Sequence, residues 1–266
     1  MTNYEELKKK AMKKTKEKMK EKKGERDQLA IQIINSIDNL DKTSNVILEQ
    51  FKDIYSLYFP ELDKEIDDPD KFLEITAELK RKEDFKIEEL EEKLGSKEKA
   101  IKVKEKAEKS TGADLDPKDL EVITSLGEIA LRMRKERKEL EDYIEGIMEE
   151  IAPNLTAILG PTVGARILSE AGSLKKLAMM PSSTVQVLGA EKALFAHLRK
   201  DVKPPKHGII FQYPKIKGSP VNKRGKISRK VAAKASIASR IDYFNGEYRG
   251  DKLKKELEEE IEEVLN

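Results

Sequence analysis

From Gln28 to Tyr58 the chain reads QLAIQIINSIDNLDKTSNVILEQFKDIYSLY. Ile33, Ile37, Leu40, Ser44, Ile47, Phe51, Ile54 and Tyr58 recur at alternating steps of four and three residues, which places them in one stripe along a helix and reads as a coiled-coil seam. Pro60 and the turn Asp67-Asp68-Pro69 end it, and residues 70–110 read as short charged helices broken at Gly95-Ser96. Asp116-Pro117 is a helix start, N-cap followed by N1. The next helix carries Val122, Leu126, Ile129, Met133, Glu136, Leu140, Tyr143 and Ile147, again stepping by four and three. Two seams of equal length imply an antiparallel hairpin in which facing residue numbers sum to about 180, so that Ser44 meets Glu136. Two independent bundle helices are the alternative.

From Ile151 the texture changes to short helices rich in Gly, Ala and Pro: 151–159, 161–170, 174–180 and 182–188, then one opening at Gly189-Ala190-Glu191-Lys192 and stopping before Pro204-Pro205. An extended piece, Ile209–Tyr213, leads into a helix from about Lys226 to Phe244. No strand alternation occurs. The expected fold class is all-α, a long antiparallel coiled-coil hairpin followed by a compact helical domain. The expected segments are a charged N-terminal arm (1–27), the hairpin (28–150), the compact domain (151–244) and a charged C-terminal tail (245–266).

Composition narrows the function. Charged residues make up 39% of the chain and aromatics 5%, which suits long solvated helices and a modest core. The absence of Cys excludes disulfides and thiolate metal sites, and His197 and His207 alone do not make an imidazole cluster, so neither metal nor cofactor is expected. No apolar run is long enough to span a membrane and no signal peptide is evident, so the expectation is a cytoplasmic protein without membrane contact. Abundant Lys and Glu with few Asn and Gln also fits a heat-adapted protein.

The formal net charge of +2 hides a strong division along the chain. From Pro161 to Phe244, 17 Lys and Arg stand against 4 Asp and Glu, a net of +13, whereas residues 28–160 carry −12. A folded segment with that excess suits a polyphosphate partner. Phosphate-loop, dinucleotide and nucleophile-elbow motifs are all missing, and no catalytic set presents itself. On the last helix Arg229 and Arg240 fall within roughly 20° of one another at about 100° per residue, with Lys226, Ala233 and Ser236 nearby. Small side chains between two guanidinium groups let such a face approach a sugar-phosphate backbone and grip it bidentately. Val231, Ala235 and Ala238 form the opposite, core-facing side. At Gly189-Ala190-Glu191-Lys192 a glycine can close one helix while the next offers free backbone N–H groups. A solvated basic face, and an ordinary helix turn, remain the bland alternatives for these two elements.

These residues carry a family resemblance. Gly164-Ala165-Arg166, Ala171-Gly172-Ser173-Leu174, the run Pro181 to Phe195, Gly208-Ile209-Ile210, and Gly225 to Arg229 continuing to Ser239-Arg240-Ile241-Asp242 resemble the Nop domain of box C/D RNA-methylation scaffolds and of a related spliceosomal protein. Residues 28–150 resemble the family's coiled coil, including Leu40-Asp41-Lys42 and the run Tyr55 to Leu62. The resemblance implies a non-enzymatic scaffold that reads kink-turn RNA together with a small ribosomal-type protein bound to it, within a particle for RNA-guided 2′-O-methylation. It implies RNA contact by Lys192, Gln212, Lys226, Arg229, Lys230, Lys234 and Arg240, and contact with the kink-turn protein by Leu188, Gly189, Ala190, Glu191 and Lys192. It also implies pairing with a second copy or paralogue through Ile33, Ile37, Phe51, Ile54, Leu126 and Met133. Family members carry fibrillarin on a globular domain before the hairpin, where this sequence has 27 residues of which 17 are charged, so the expectation is that fibrillarin is not retained. A kink-turn factor in RNA processing or splicing, a purely structural coiled-coil adaptor and an RNA-modifying enzyme are the rival readings.

Overall fold

The computed structural model describes the backbone of residues 2–200 and 202–266, and the side chains of residues 25–200, 202–244 and 246–266. It is all-helical: no strand occurs among the described residues. The chain divides into two compact units, residues 1–35 with 141–266, and residues 36–140.

In the second unit, the later part of α1 (Thr2–Tyr55) runs antiparallel to the first part of α6 (Pro117–Ile151). Arg137 Nε lies 3.4 Å from Asp41, and Arg134 Nη2 donates to Asn45 Oδ1 at 2.6 Å, so facing numbers sum to 178 and 179. That register lies one to two residues from the expected one. Ser44 is buried with its hydroxyl on the Asp41 carbonyl, while Glu136 is exposed, so the two polar breaks do not meet. The α6 seam is also rotated. On α1 the expected positions Ile37, Ser44, Phe51 and Tyr58 are buried, joined by Leu48 and Tyr55, while Ile47 is half-buried and Ile54 is 36% exposed. On α6 the buried face is Leu120, Thr124, Gly127, Ala130 and Leu131, and the expected seam residues Val122 and Ile129 stand 63% and 48% exposed.

Gly127 explains the rotation. A Cβ there would lie 2.8 Å from two ring carbons of Phe51, so the ring occupies the place of a side chain on α6. Phe51 in turn starts an aromatic cluster: its ring centroid lies 5.4 Å from that of Tyr55 and 6.0 Å from that of Phe72, edge to face in the latter pair. Between α1 and α6 the chain forms α2 (Leu62–Glu65), α3 (Pro69–Leu79), a 3-10 turn (Lys82–Asp84), α4 (Ile87–Leu94) and α5 (Lys97–Glu108). Asp68 caps α3, its carboxylate accepting from the Asp70 and Lys71 N–H groups, and Gly95 closes α4 with φ of 69°. Leu62, Ile66, Leu73, Phe85, Leu90 and Val103 join the aromatic cluster in one core. Glu61 closes the return to α6 by accepting hydrogen bonds from the Ser110 hydroxyl and from the N–H and hydroxyl of Thr111.

In the first unit α13 (Val221–Arg240) is the central element, packed by α7 (Pro153–Leu159), α9 (Leu174–Met179), α10 (Ser182–Val187), α12 (Pro214–Lys217) and α14 (Gly250–Leu265). α8 (Pro161–Ala171) packs on α7 and α9, and α11 (Glu191–Arg199) follows α10. Ser228, Ala232, Ala235, Ser236, Ala238 and Ser239 are buried along α13, and side chains this small let neighbouring helices come close. Asp242, buried in a π-turn after α13, caps α7 by accepting from the N–H groups of Asn154 and Leu155. The expected tail is part of this core, because Leu253, Leu257 and Ile261 of α14 are buried. Ile209–Gln212 is a 3-10 turn and not an extended piece. The backbone of residues 2–24 continues α1, and the expected behaviour of their charged side chains lies outside the described residues.

Two measurements check this packing. Gly127→Val should lower stability by about 1 to 3 kcal/mol through overpacking against Phe51. Gly146→Ala on the same helix, where a Cβ meets nothing within 4 Å, should raise it by about 0.5 to 1 kcal/mol; denaturant titrations would read both. The second concerns acid. Burial pushes the Glu61 carboxyl up, but the hydrogen bonds from Thr111 and Ser110 outweigh it and hold the group at about 2, below its ordinary 4.5. A depressed carboxylate stabilises the fold above its unfolded value, and that stability is lost as pH falls. Melting curves of the wild type should therefore lose stability between pH 4.5 and about 2, and Glu61→Gln should flatten that loss.

Candidate RNA and protein interface

The loop from Leu188 to Lys192 is held from behind by residues 206–209. The Gly208 N–H donates to the Gln186 carbonyl and the Ile209 N–H to the Leu188 carbonyl, each at 2.9 Å, while Gln186 Nε2 donates to the Lys206 carbonyl at 2.7 Å. Both glycines are obligatory. A Cβ at Gly208 would lie 1.9 Å from the Leu188 carbonyl oxygen, and Gly189 has φ of 81° with Ile209 Cγ1 2.6 Å from its missing Cβ. Leu188 is buried behind the loop, whereas Gly189, Glu191 and Lys192 are exposed and Ala190 is half-buried. Glu191 turns back to accept the Gly189 N–H at 2.8 Å, which fixes the loop before any partner arrives.

The helix that follows this loop buries none of its residues. α11 leaves Phe195 57% and Leu198 70% exposed. Sequence reasoning missed this surface, because apolar residues spaced by three look the same whether they face a core or a partner. His197 Nδ1–H donates to the Val202 carbonyl, a local packing role. His207 stacks on Phe211 with ring centroids 4.5 Å apart, and Arg224 lies over the other aromatic partner's ring at 5.4 Å. Burial, then the nearby Arg224, push the His207 imidazole below its ordinary pKa.

On α13 the expected RNA residues separate into three groups. Lys226 and Arg229 are exposed, and no hydrogen bond or ion pair holds either among the described residues. Arg240 is anchored, Nε donating to the Ala178 carbonyl at 3.1 Å and Nη2 to the Met180 carbonyl at 3.3 Å. Lys234 is a correction. It is buried, with Nζ 2.6 Å from Glu256 and 3.1 Å from Glu260 of α14. Burial pushes the Lys234 ammonium down, but the hydrogen bonds it donates to the two carboxylates outweigh it and the net shift is upward. Lys230 pairs with Glu260 at 3.1 Å. Gln212 is exposed with its carbonyl accepting from Arg166 Nη1 at 2.7 Å, which brings Arg166 to the same place.

The residues expected to pair copies also divide. Phe51 and Ile37 are fully buried within the chain and Ile33 nearly so, which removes them from any outer surface, whereas Ile54 is exposed and Leu126 and Met133 are half-buried.

A family model described as Nop, snoRNA binding domain, fibrillarin, matches residues 36–263. An uncharacterised NOP5 family protein of Methanocaldococcus jannaschii is 44% identical over 98% of the chain, and nucleolar protein 56 of Homo sapiens is 37% identical over 88%. The chain spans 64% of the first relative and 41% of the second. A solved fibrillarin/Nop5p complex matches 98% of the chain and 78% of its own, at 26% identity and a TM-score of 0.60. Fibrillarin stands in the description of the family and in the name of the complex that the fold resembles, which speaks against the expectation built on the 27 preceding residues. The basic helix, the glycine-locked loop and the helices of residues 36–140 all fall inside the matched segment, and the chain belongs to the Nop family.

Proposed function

We propose that this chain is an assembly scaffold of a box C/D-type ribonucleoprotein, one that docks on kink-turn RNA and its bound ribosomal-type protein together and serves RNA-guided 2′-O-methylation carried out by fibrillarin. The observation that carries this reading is the pair Lys226 and Arg229, exposed and free of internal partners, on the same unit as the rigid Gly189–Lys192 loop. One element supplies backbone charge and the other a pre-formed surface for a protein, so each partner alone covers part of the site. Membership of the Nop family makes a scaffold role, not catalysis, the expected one. Fibrillarin enters as a partner because the family description and the matched complex name it. The exposed α6 stripe of Val122 and Ile129, with half-buried Leu126 and Met133, suits pairing with a second copy or paralogue.

Reconstitution from purified parts tests the scaffold. Affinity for kink-turn RNA should rise at least about tenfold, roughly 1.4 kcal/mol of coupling, when the kink-turn protein is present. Fibrillarin should co-elute with the assembly. Arg229→Ala should weaken complex formation by about 1 to 3 kcal/mol and make log affinity less steep in log salt. Equal affinity with and without the protein, or an Arg229→Ala variant that binds as the wild type does, refutes the composite site.

Self-association is read by sedimentation. A dimer at micromolar concentration is expected, and Val122→Glu with Ile129→Glu should give monomers with an unchanged melting temperature; a wild-type monomer at high concentration counts against pairing.

A further inference from the structure

α14 carries seven acidic residues against three lysines, and it lies on the most basic helix of the chain. At about 100° per residue, Lys223, Lys230 and Lys234 of α13 fall within ~40° of one another, and Lys226, Arg229, Ala233 and Arg240 occupy the adjoining ~60°. α14 engages the first of these rows. Lys230 pairs with Glu260, Lys234 with Glu256 and Glu260, and the Lys223 ammonium donates to the Leu265 carbonyl at the C-terminal end of α14. On α12, Lys215 lies 3.5 Å from Glu258. Lys230 and Lys215 remain 42% and 41% exposed at the side chain, so their charges are balanced without being hidden.

Burial of Leu253, Leu257 and Ile261 accounts for why α14 stays attached. It does not account for carboxylates at Lys215, Lys230 and Lys234, because neutral side chains on α14 with neutral partners would pack as well without desolvating charge. From this we infer that Glu258 and Glu260 are specificity-determining residues, an acidic mask that confines nucleic acid to the Lys226–Arg229 row. Unmasked, the two rows form one continuous basic band, and a phosphate backbone could settle across it in several registers regardless of sequence. The inference rests on the RNA-binding reading above. It adds that RNA binding by this unit is deliberately restricted.

The test uses the full chain and oligouridylate as a probe of sequence-independent binding, titrated against salt. Glu258→Gln with Glu260→Gln leaves Glu256 on Lys234 and should keep the melting temperature. Its affinity for oligouridylate should rise at least about threefold at low salt, with a slope of log affinity against log salt steeper by about 1.4, since each phosphate neutralised on a single strand contributes about 0.7. Adding Lys215→Gln and Lys230→Gln should return both values to wild type. A folded double variant with unchanged affinity and slope overturns the mask. A second arm does not depend on the folding of that variant: Lys215→Gln with Lys230→Gln in the wild-type chain should leave oligouridylate binding unchanged, and a clear loss would show that these lysines already face RNA. Arg229→Ala, measured in parallel, reports on the RNA reading by itself, so its failure and that of the mask are told apart.

Discussion

The first unit depends on one constraint: α13 must be a core helix and a charged surface at once. Its small buried residues, from Ser228 to Ser239, let α7, α9, α10 and α14 close around it. That leaves little of its circumference for solvent, yet the helix carries Lys223, Arg224, Lys226, Arg229, Lys230, Lys234 and Arg240. Buried or crowded cations need partners, because an unpaired ammonium in a low-dielectric site is far costlier than a paired one. Lys234 meets that demand through Glu256 and Glu260, and Arg240 through the carbonyls that end α9. The cations left without a partner among the described residues, Lys226 and Arg229, are the ones on which the proposed polyanion surface is placed.

Much of this was legible in the sequence. The helical class, the helix start at Asp116-Pro117, the short helices after Ile151 and the core face of Val231, Ala235 and Ala238 follow from spacing and capping residues that act locally. The α1 seam was legible as a face, since Ile33, Ile37, Ser44, Phe51 and Tyr58 are buried, but the α6 seam only as a helix. Counting large apolar residues selected Val122 and Ile129, but α6 packs through Thr124, Gly127 and Ala130, because the rings of α1 need room that only small residues leave. An apolar period records that a helix has a greasy side. It does not record whether that side meets its own chain or another, and here the larger side chains lie outside.

The same limit governs charge. Lys226, Arg229, Lys230 and Lys234 are alike as letters, and a helical wheel groups them by angle alone. Which are neutralised depends on α14, a segment that begins ten residues after α13 ends and whose acidic composition reads as a solvated tail. Its apolar residues Leu253, Leu257 and Ile261 step by four, the spacing of a packed helix face, and that was the available signal. By contrast the Gly189 loop was readable in part, as a glycine closing one helix, although the role of Gly208 behind it was not. Its glycine has positive φ, its neighbour Gly208 admits the Leu188 carbonyl, and both demands are backbone demands that only one residue type meets.

Arg229 and Arg240, equal on a helical wheel, are therefore not equal as binding groups. Ordering a free arginine costs about 1.5 to 2 kcal/mol of side-chain entropy. Arg240 has met that cost on folding, since Nε and Nη2 are held by the Ala178 and Met180 carbonyls. It presents a fixed, half-committed guanidinium, and its removal leaves the Ala178 carbonyl without this donor and the Met180 carbonyl with the Ser236 hydroxyl at 3.4 Å. Arg229 has no such anchor among the described residues and must be ordered by the partner it grips. A phosphate meeting Arg240 finds a positioned donor, and one meeting Arg229 must immobilise it. On the proposed RNA reading, the anchored residue would set the register of the backbone and the free one would adapt to it, a division of labour that suits a surface meant to accept many sequences at a single structural landmark.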